Sequence, residues 1–294
     1  MSPQAPSIGH PDKLMFPDAG ISKQDLADYY AAVAEPLLTH AAGRPLTLRR
    51  FPDGIDAEGF FQQHQRGDLP DGLAPQPAPT ADGSDEIMHV TVVSAAGLAA
   101  LADRATIELH GWLARVPELE RPDRLIIDLD PPDGEFGTVR RAARRVAEFM
   151  DELGLVPHLM TTGSRGLHVV APLTPTLDFD VVRGLAETMA EQLAERHADD
   201  LTTAQRKDQR GGKLYLDVMR NAYGQTAILP YSPRAKPQGP VATPLDWHEL
   251  DGLSDAQAYQ IGSVPRRLAQ KADPWARIDN PATDPRDLQA ALED

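Results

Sequence analysis

Arg124-Leu-Ile-Ile-Asp128-Leu-Asp130-Pro131-Pro132 is the stretch on which the reading of this chain turns. Its apolar, β-prone run predicts a buried strand that ends in two carboxylates. A strand alternates its side chains, so Asp128 and Asp130 share one face and Leu129 points to the other. Two neighbouring carboxylates repel, the strand offers them no obvious counter-charge, and a cation between them would remove the conflict. An acidic strand end before a proline turn accounts for the pair as well in isolation, so the rest of the chain has to decide.

Outward from this strand the pattern is regular. A helix is predicted over 138–153, then a strand pair at 157–161 and 167–171 joined by Thr162-Gly163-Ser164-Arg165-Gly166. A helix over 179–196 and strands near 213–219 and 226–230 follow. The tight turn makes the sheet mostly antiparallel and the class α/β or α+β. Toward the N-terminus, Ser22-Lys23-Gln24-Asp25 is a capping box opening an amphipathic helix through about residue 38. Residues 44–51 and 89–94 read as strands, 95–102 as a short helix, and 66–86 as a long loop rich in Pro, Gly and Asp. Residues 274–294 read as a loosely packed tail.

The 294 residues include no cysteine, which excludes disulfides, zinc-thiolate sites and thiol nucleophiles and fits a reducing cytoplasm. No apolar stretch approaches the ~20 residues that span a bilayer, so a soluble protein without membrane contact is expected. The formal net charge of −15 argues against generic nucleic-acid affinity. The charge is uneven, however. Arg206, Lys207, Arg210, Lys213, Arg220, Arg234 and Lys236 share a stretch with only Asp208 and Asp217 as acids, which leaves room for a local basic surface.

Asp217, in Lys213-Leu-Tyr-Leu-Asp217-Val-Met-Arg220, is a third acid on a strand. Three carboxylates without Cys or His favour a hard cation, Mg²⁺ or Mn²⁺, and such clusters commonly hold two ions about 3.5–4 Å apart for phosphoryl chemistry. A salt bridge from Asp217 to Arg220 or Lys213 is the plainer alternative. The glycine turn can aim backbone N–H groups into an anion-binding concavity, with donors from Thr162, Ser164 and Arg165, and with His168 just inside the next strand. Such a turn can equally do no more than reverse the chain. Lys23 lies in the first turn of the capped helix, where its charge opposes the dipole unless an anion compensates it. Phe60 and Phe61 either pack in the core or offer a ring to a base. Arg140, Arg141, Arg144 and Arg145 read as the wet face of the 138–153 helix.

Taken together, these segments resemble the polymerase domain of bacterial ligase D, within the archaeo-eukaryotic primase superfamily. The resemblance is carried by Asp12-Lys-Leu-Met-Phe-Pro17, Phe60-Phe-Gln62, Ile107-Glu-Leu-His110-Gly-Trp112 and the 121–131 stretch, then by Gly166-Leu-His-Val169, Leu214-Tyr-Leu-Asp-Val-Met-Arg-Asn221, Tyr231-Ser-Pro-Arg-Ala235 and Val241-Ala-Thr-Pro-Leu245. It runs over residues 8–273 as one primase-polymerase domain. It implies a primase-like fold with an RRM-like antiparallel catalytic sheet, flanked by helices and an N-terminal αβ extension. It implies that Asp128, Asp130 and Asp217 are catalytic metal ligands for two Mn²⁺ or Mg²⁺ ions. Arg50, Thr162, Ser164, Arg165, His168, Arg220 and Arg234 take nucleotide-binding positions. Lys13 and Lys23 take those that hold a DNA 5′-phosphate, and Phe61 one near the template. Gln63 stands where the family usually has a lysine, and Ser164-Arg165 replaces a Gly-Lys pair.

The expected function is therefore a DNA-directed nucleotidyltransferase that extends break ends in non-homologous end joining, preferring ribonucleotides. The alternatives are a catalytically weak DNA-end scaffold and a dedicated primase. The expected partners are 5′-phosphorylated DNA ends, nucleoside triphosphates, a Ku-type protein and an ATP-dependent DNA ligase. The protein is expected to be a cytoplasmic monomer, nucleoid-associated when on DNA. There is no Lys-x-Asp-Gly motif, so no ligase activity is expected in this chain, and the Met1 start and acidic tail favour a stand-alone protein.

Overall fold

The computed structural model describes residues 8–131 and 136–293. Pro132, of the proline turn, and Asp294, of the tail, lie outside the described residues. In chain order the elements begin with β1 (Leu14–Phe16), β2 (Ile21–Ser22), α1 (Lys23–Ala32), α2 (Ala34–Ala41), β3 (Leu46–Arg50), β4 (Phe60–Gln62), β5 (Leu73–Pro79) and β6 (Glu86–Val92). Next come α3 (Ala95–Asp103), β7 (Thr106–Trp112), β8 (Arg124–Asp130), α4 (Phe136–Glu152), β9 (His158–Thr161) and β10 (Leu167–Pro172). The chain continues with α5 (Phe179–Arg196), β11 (Leu201–Thr202), β12 (Leu214–Asp217), β13 (Thr226–Ile228), β14 (Thr243–Leu245), α6 (Val264–Gln270) and α7 (Pro285–Glu293).

These elements form two compact units, each assembled from discontinuous segments. One takes the chain through residue 112 together with 226–243 and 259–273; the other takes 113–225, 244–258 and 274–294. The first unit holds a sheet in the order β13–β7–β3–β6–β5, with β4 pairing on β3. Leu26, Tyr30, Leu37, Leu46, Leu98 and Leu109 are among its fully buried core residues. The second holds a sheet in the order β11–β12–β8–β10–β9–β14. Its pairings are antiparallel between β8, β10, β9 and β12, and parallel between β11 and β12. Leu125, Ile127 and Leu129 of β8 are wholly buried, and α4 and α5 pack against that strand. Helix α5 starts where expected because the Asp178 carboxylate accepts the Val181 N–H at 2.9 Å.

Three expectations are corrected. The helix over 22–38 is two helices, because the Pro36 ring cannot accommodate the carbonyl four residues back, and α1 ends at that residue, Ala32. The loop over 66–86 contains β5, paired with β6 along its whole length. Pro75, Pro77 and Pro79 hide that strand in the sequence, yet β5 lies at the sheet edge, where residues lacking an N–H are tolerated and block further pairing. The tail is not loose. Thr283 exchanges backbone hydrogen bonds with Pro172 and Thr174, Trp275 and Ile278 are buried, and Leu288 of α7 is fully buried.

Gly166 brings the glycine turn against β8 so closely that an added Cβ would lie 1.9 Å from the Leu129 carbonyl oxygen. Gly184, in α5, has open space at the same position. Gly166→Ala should therefore lower unfolding free energy by ~2 kcal/mol or more. Gly184→Ala should raise it by roughly 0.5–1 kcal/mol. Urea denaturation of the two variants checks both signs.

Candidate active site

In the second unit, β8 lies between β12 and β10 so that Asp217, Asp128 and His168 form one rung across three strands. Directly opposed residues of antiparallel strands project to the same face, about 5 Å apart at Cβ. The rung therefore sets two carboxylates beside each other by backbone register alone. His168 is buried, with Nε2 3.5 Å from Asp128 Oδ2 and Nδ1 without a hydrogen-bond partner among the described residues. Arg220 Nε lies 3.8 Å from the same Asp128 oxygen. Asp217 Oδ1 accepts the Met219 N–H at 2.8 Å. Burial, with Asp128 and Asp130 close by, raises the proton affinity of Asp217 above that of an ordinary carboxyl, against the opposing Met219 N–H and Arg220.

Asp130 shares the face but is engaged elsewhere. Arg165 Nη2 donates to its Oδ1 at 2.8 Å and Arg210 Nη1 to its Oδ2 at 3.2 Å. Arg210 is itself fixed. Its guanidinium stacks 4.2 Å from the Tyr215 ring centroid and donates to the Ala204 and Gln205 carbonyls. Arg210 was visible in the sequence only as one cation of a basic stretch, because its reach depends on how 204–210 folds. The part played by Asn221 is likewise not legible in the local sequence. Its side-chain amide pairs with both backbone groups of Ile126, at 2.9 and 2.7 Å, and so seats the turn that carries Arg220 onto β8.

The glycine turn is used largely by itself. Thr162 Oγ1 donates to the Gly166 carbonyl at 2.9 Å and accepts the Ser164 N–H at 3.3 Å, while the Ser164 carbonyl accepts from Gln257. Two of the expected anion donors are thus engaged within the turn, and Gly163 takes the left-handed φ of +63° that the reversal needs.

An all-carboxylate donor set suits Mg²⁺ or Mn²⁺, and burial first, then the neighbouring Asp128 and Asp130, raises the proton affinity of Asp217. Asp128 and Asp217 fit the role of cation ligands. Among the described residues no three His, Cys, Asp or Glu side chains already form a cage, because Asp130 is turned to its arginines.

The remaining site residues lie in the first unit, in two groups. The β1–β2 pair brings Lys13 and Lys23 together through a 2.8 Å backbone bond from Lys23 N to Lys13 O. They line a cavity of about 180 Å³ with His10, Arg50, Asp103 and Arg104. Both lysines have acidic partners: Asp53 for Lys13 and Asp103 for Lys23, each at 2.8 Å. Asp103 is thus the anion that compensates Lys23 at the helix start. Partial burial pushes the Asp103 carboxyl up, but the Lys23 ammonium and the Gly9 N–H outweigh it and leave the pKa below the usual value. Arg50 stands in the wall of this lysine cavity, donating to the Arg104 carbonyl at 2.9 Å and to Gln62 at 3.0 Å.

The second group surrounds Glu108 of β7. Its carboxylate meets His110 Nε2 at 2.9 Å, Arg49 Nη1 at 3.2 Å, Arg234 Nε at 3.3 Å and the Ala235 N–H at 2.9 Å. Phe61, 58% exposed on β4, lies edge-on to His110 and beneath Arg49. Glu108 lies in the Ile107–Trp112 segment, and nothing local marks it, since its partners Arg49, Arg234 and Ala235 come from distant parts of the chain.

A polymerase domain has this fold. That of Mycobacterium tuberculosis ligase D, solved in complex with DNA, matches with a TM-score of 0.87 and 32% identity, over 94% of this chain and 99% of the other. The chain is a nucleotidyltransferase of the primase-polymerase type. More particularly, residues 22–275 match the LigD primase-polymerase domain, and the chain belongs to that family. The multifunctional non-homologous end joining protein LigD of Pseudomonas aeruginosa is 35% identical over 273 residues, 92% of this chain and 32% of that protein. The bifunctional LigD of Bacillus subtilis is 29% identical over 266 residues, 90% of this chain and 42% of that protein. The chain thus spans about a third to two fifths of the length of these curated relatives. No helix among the described residues is long and apolar enough to cross a membrane.

Burial pushes the Glu108 carboxyl up, but His110, Arg234 and the Ala235 N–H outweigh it and bring the pKa down from 4.5 to about 2. A depressed folded pKa means stability that is fully present above about 4.5 and lost as pH falls toward about 2. Wild type should therefore be more stable than Glu108→Gln at neutral pH, with the gap closing across that window. Urea titrations at several pH values measure it, and a pH-independent gap would contradict the assignment.

Proposed function

We propose that this chain adds nucleotides, ribonucleotides in preference, to DNA 3′ ends at double-strand breaks. The observation that carries the reading is the Asp217–Asp128–His168 rung with Arg220 beside it, in a chain of the LigD primase-polymerase family. Asp128 and Asp217 would hold divalent cations, two in the full site, with Asp130 as a third ligand were it released from Arg165 and Arg210. When bound, Mn²⁺ or Mg²⁺ supplies charge neutralisation at the reacting phosphates. The protein's own contribution is mostly placement. His168 and Arg220, with the turn residues Thr162, Ser164 and Arg165, orient the triphosphate; Arg234, in the first unit, is a separate candidate for nucleotide binding.

The lysine cavity takes a recessed 5′-phosphate. Lys13 reaches it readily because its partner Asp53 is 78% exposed, and an exposed pair contributes only ~0–1 kcal/mol. Lys23 and Arg50 wall the same cavity. Phe61 supplies an exposed ring for an unpaired template base, a contact typically worth ~1–3 kcal/mol. The relatives are end joining proteins by name, which supports a place beside an ATP-dependent DNA ligase and a Ku-type end-binding protein.

A second reading, DNA-end binding without catalysis, is favoured by one observation: arginines occupy both oxygens of Asp130. Primer extension on a gapped, 5′-phosphorylated duplex with Mn²⁺ and labelled ribonucleotides separates the two. Wild type should extend. Asp128→Ala and Asp217→Ala should each lose at least ~1,000-fold in rate while keeping DNA affinity; normal extension by either would overturn the catalytic assignment. Lys13→Glu with Lys23→Glu should weaken binding to 5′-phosphorylated ends by roughly 10-fold or more. An equal loss on 5′-hydroxyl ends would contradict the phosphate role.

A further inference from the structure

The lysine cavity of the first unit gathers more positive charge than its two lysines supply. Lys13, Lys23, Arg50 and Arg104 all line it, and the two carboxylates beside them, Asp53 and Asp103, each pair with a lysine. The arginines have no such partner. Arg50 donates to the Arg104 carbonyl and the Gln62 side chain, both uncharged. The Arg104 guanidinium, half-buried, has neither a hydrogen bond nor an ion pair among the described residues. The lysine half of the cavity is therefore compensated and the arginine half is not.

The fold brings the two arginines together on purpose-built backbone. Arg104 caps the C-terminus of α3, where its N–H donates to the Ala100 and Ala102 carbonyls. The chain then turns through Ala105, whose left-handed φ of +56° is usually left to glycine at this position after a helix. The Ala105 carbonyl accepts the Phe51 N–H at 2.8 Å, which docks the turn on the end of β3. One residue earlier, the Arg104 carbonyl accepts from Arg50 Nε at 2.9 Å and so directs that side chain. The Arg104 charge is felt on the cavity wall. Burial opposes ionisation of Asp103, but Lys23, the Gly9 N–H and then Arg104 lower its pKa, while burial first and Arg104 second lower that of Arg50. Two neighbouring guanidinium groups without a carboxylate repel each other, and an anion between them would relieve it.

We infer that Arg104 is a further phosphate-binding residue of this cavity, forming with Arg50 a cationic wall that the 5′-terminal phosphomonoester of a recessed DNA end completes. The inference rests on the proposed 5′-phosphate role of the cavity and adds to it the residue that reads the charge of the terminal phosphate. A phosphomonoester carries about two negative charges at neutral pH, which matches the two arginines left without a carboxylate. A 5′-hydroxyl end brings no charge to that place. The plainer role for Arg104 is to offset the partial negative charge at the end of α3, a contribution to stability that no DNA end would alter.

The test is equilibrium binding to two recessed duplexes that differ only in a 5′-phosphate or a 5′-hydroxyl, at one salt concentration because phosphate contacts weaken with salt. Thermal denaturation of each variant runs alongside. Wild type should prefer the phosphorylated duplex. Arg104→Gln should lose roughly 10-fold or more in affinity for it, with affinity for the 5′-hydroxyl duplex unchanged. Arg104→Lys keeps the charge without the guanidinium fork and should lose less, again only on the phosphorylated end; it carries the test should the Gln variant not fold. A lowered Tm with the phosphate preference intact, or an equal loss on both duplexes, would overturn the inference and leave Arg104 as a helix cap. A wild type that does not distinguish the two ends would instead overturn the reading of the cavity beneath it.

Discussion

Repulsion between Asp128 and Asp217 is the constraint around which the second unit is organised. Backbone register makes them direct cross-strand neighbours, so neither can leave without unzipping β8 from β12. Their surroundings hold the arrangement from every side. Leu125, Ile127 and Leu129 bury the opposite face of β8, and Gly166 lets the next turn approach the Leu129 carbonyl more closely than any side chain would permit. Asn221 imitates a strand partner for Ile126 and thereby delivers Arg220 to Asp128. A buried core thus supports a pair of like charges, the arrangement expected for the proposed cation site.

The cations obey a complementary rule. A chain with a net charge of −15 still presents basic side chains at its candidate sites because acidic partners sit directly against them. Asp53 and Asp103 hold the two lysines, Glu108 holds Arg49 and Arg234, and Asp130 holds Arg165 and Arg210. Such pairs keep long side chains oriented without an anion, and under the proposed function an incoming phosphate would exchange with the carboxylate. The more exposed the carboxylate, the easier the exchange, so Asp53 gives way more readily than buried Glu108.

Much of this was legible from residue patterns. The strand at 124–130 and the helix at 179–196 follow from alternation, periodicity and an Asp cap, all of them local. The shared face of Asp128 and Asp130 follows from the two-residue period. That Asp217 and His168 flank Asp128 in one rung is a matter of long-range register, which no local pattern carries. The same limit hid Arg210, Asn221 and Glu108, whose partners lie up to 127 residues away. β5 was missed because alternating prolines resemble a loop until the strand is seen at a sheet edge. The tail was misjudged because three buried apolar anchors are diluted among prolines and aspartates.

The central claim, that the Asp128–Asp217 pair is maintained to hold a divalent cation, is tested most directly by thermal denaturation of wild type and Asp217→Asn with and without Mn²⁺. A ligand that binds only the folded state stabilises it in proportion to the logarithm of its concentration. Wild type should gain Tm as Mn²⁺ rises. Asp217→Asn, freed of the repulsion, should be at least as stable as wild type without metal and gain little on addition. Equal Mn²⁺ stabilisation of both proteins, or none of wild type, would contradict the account.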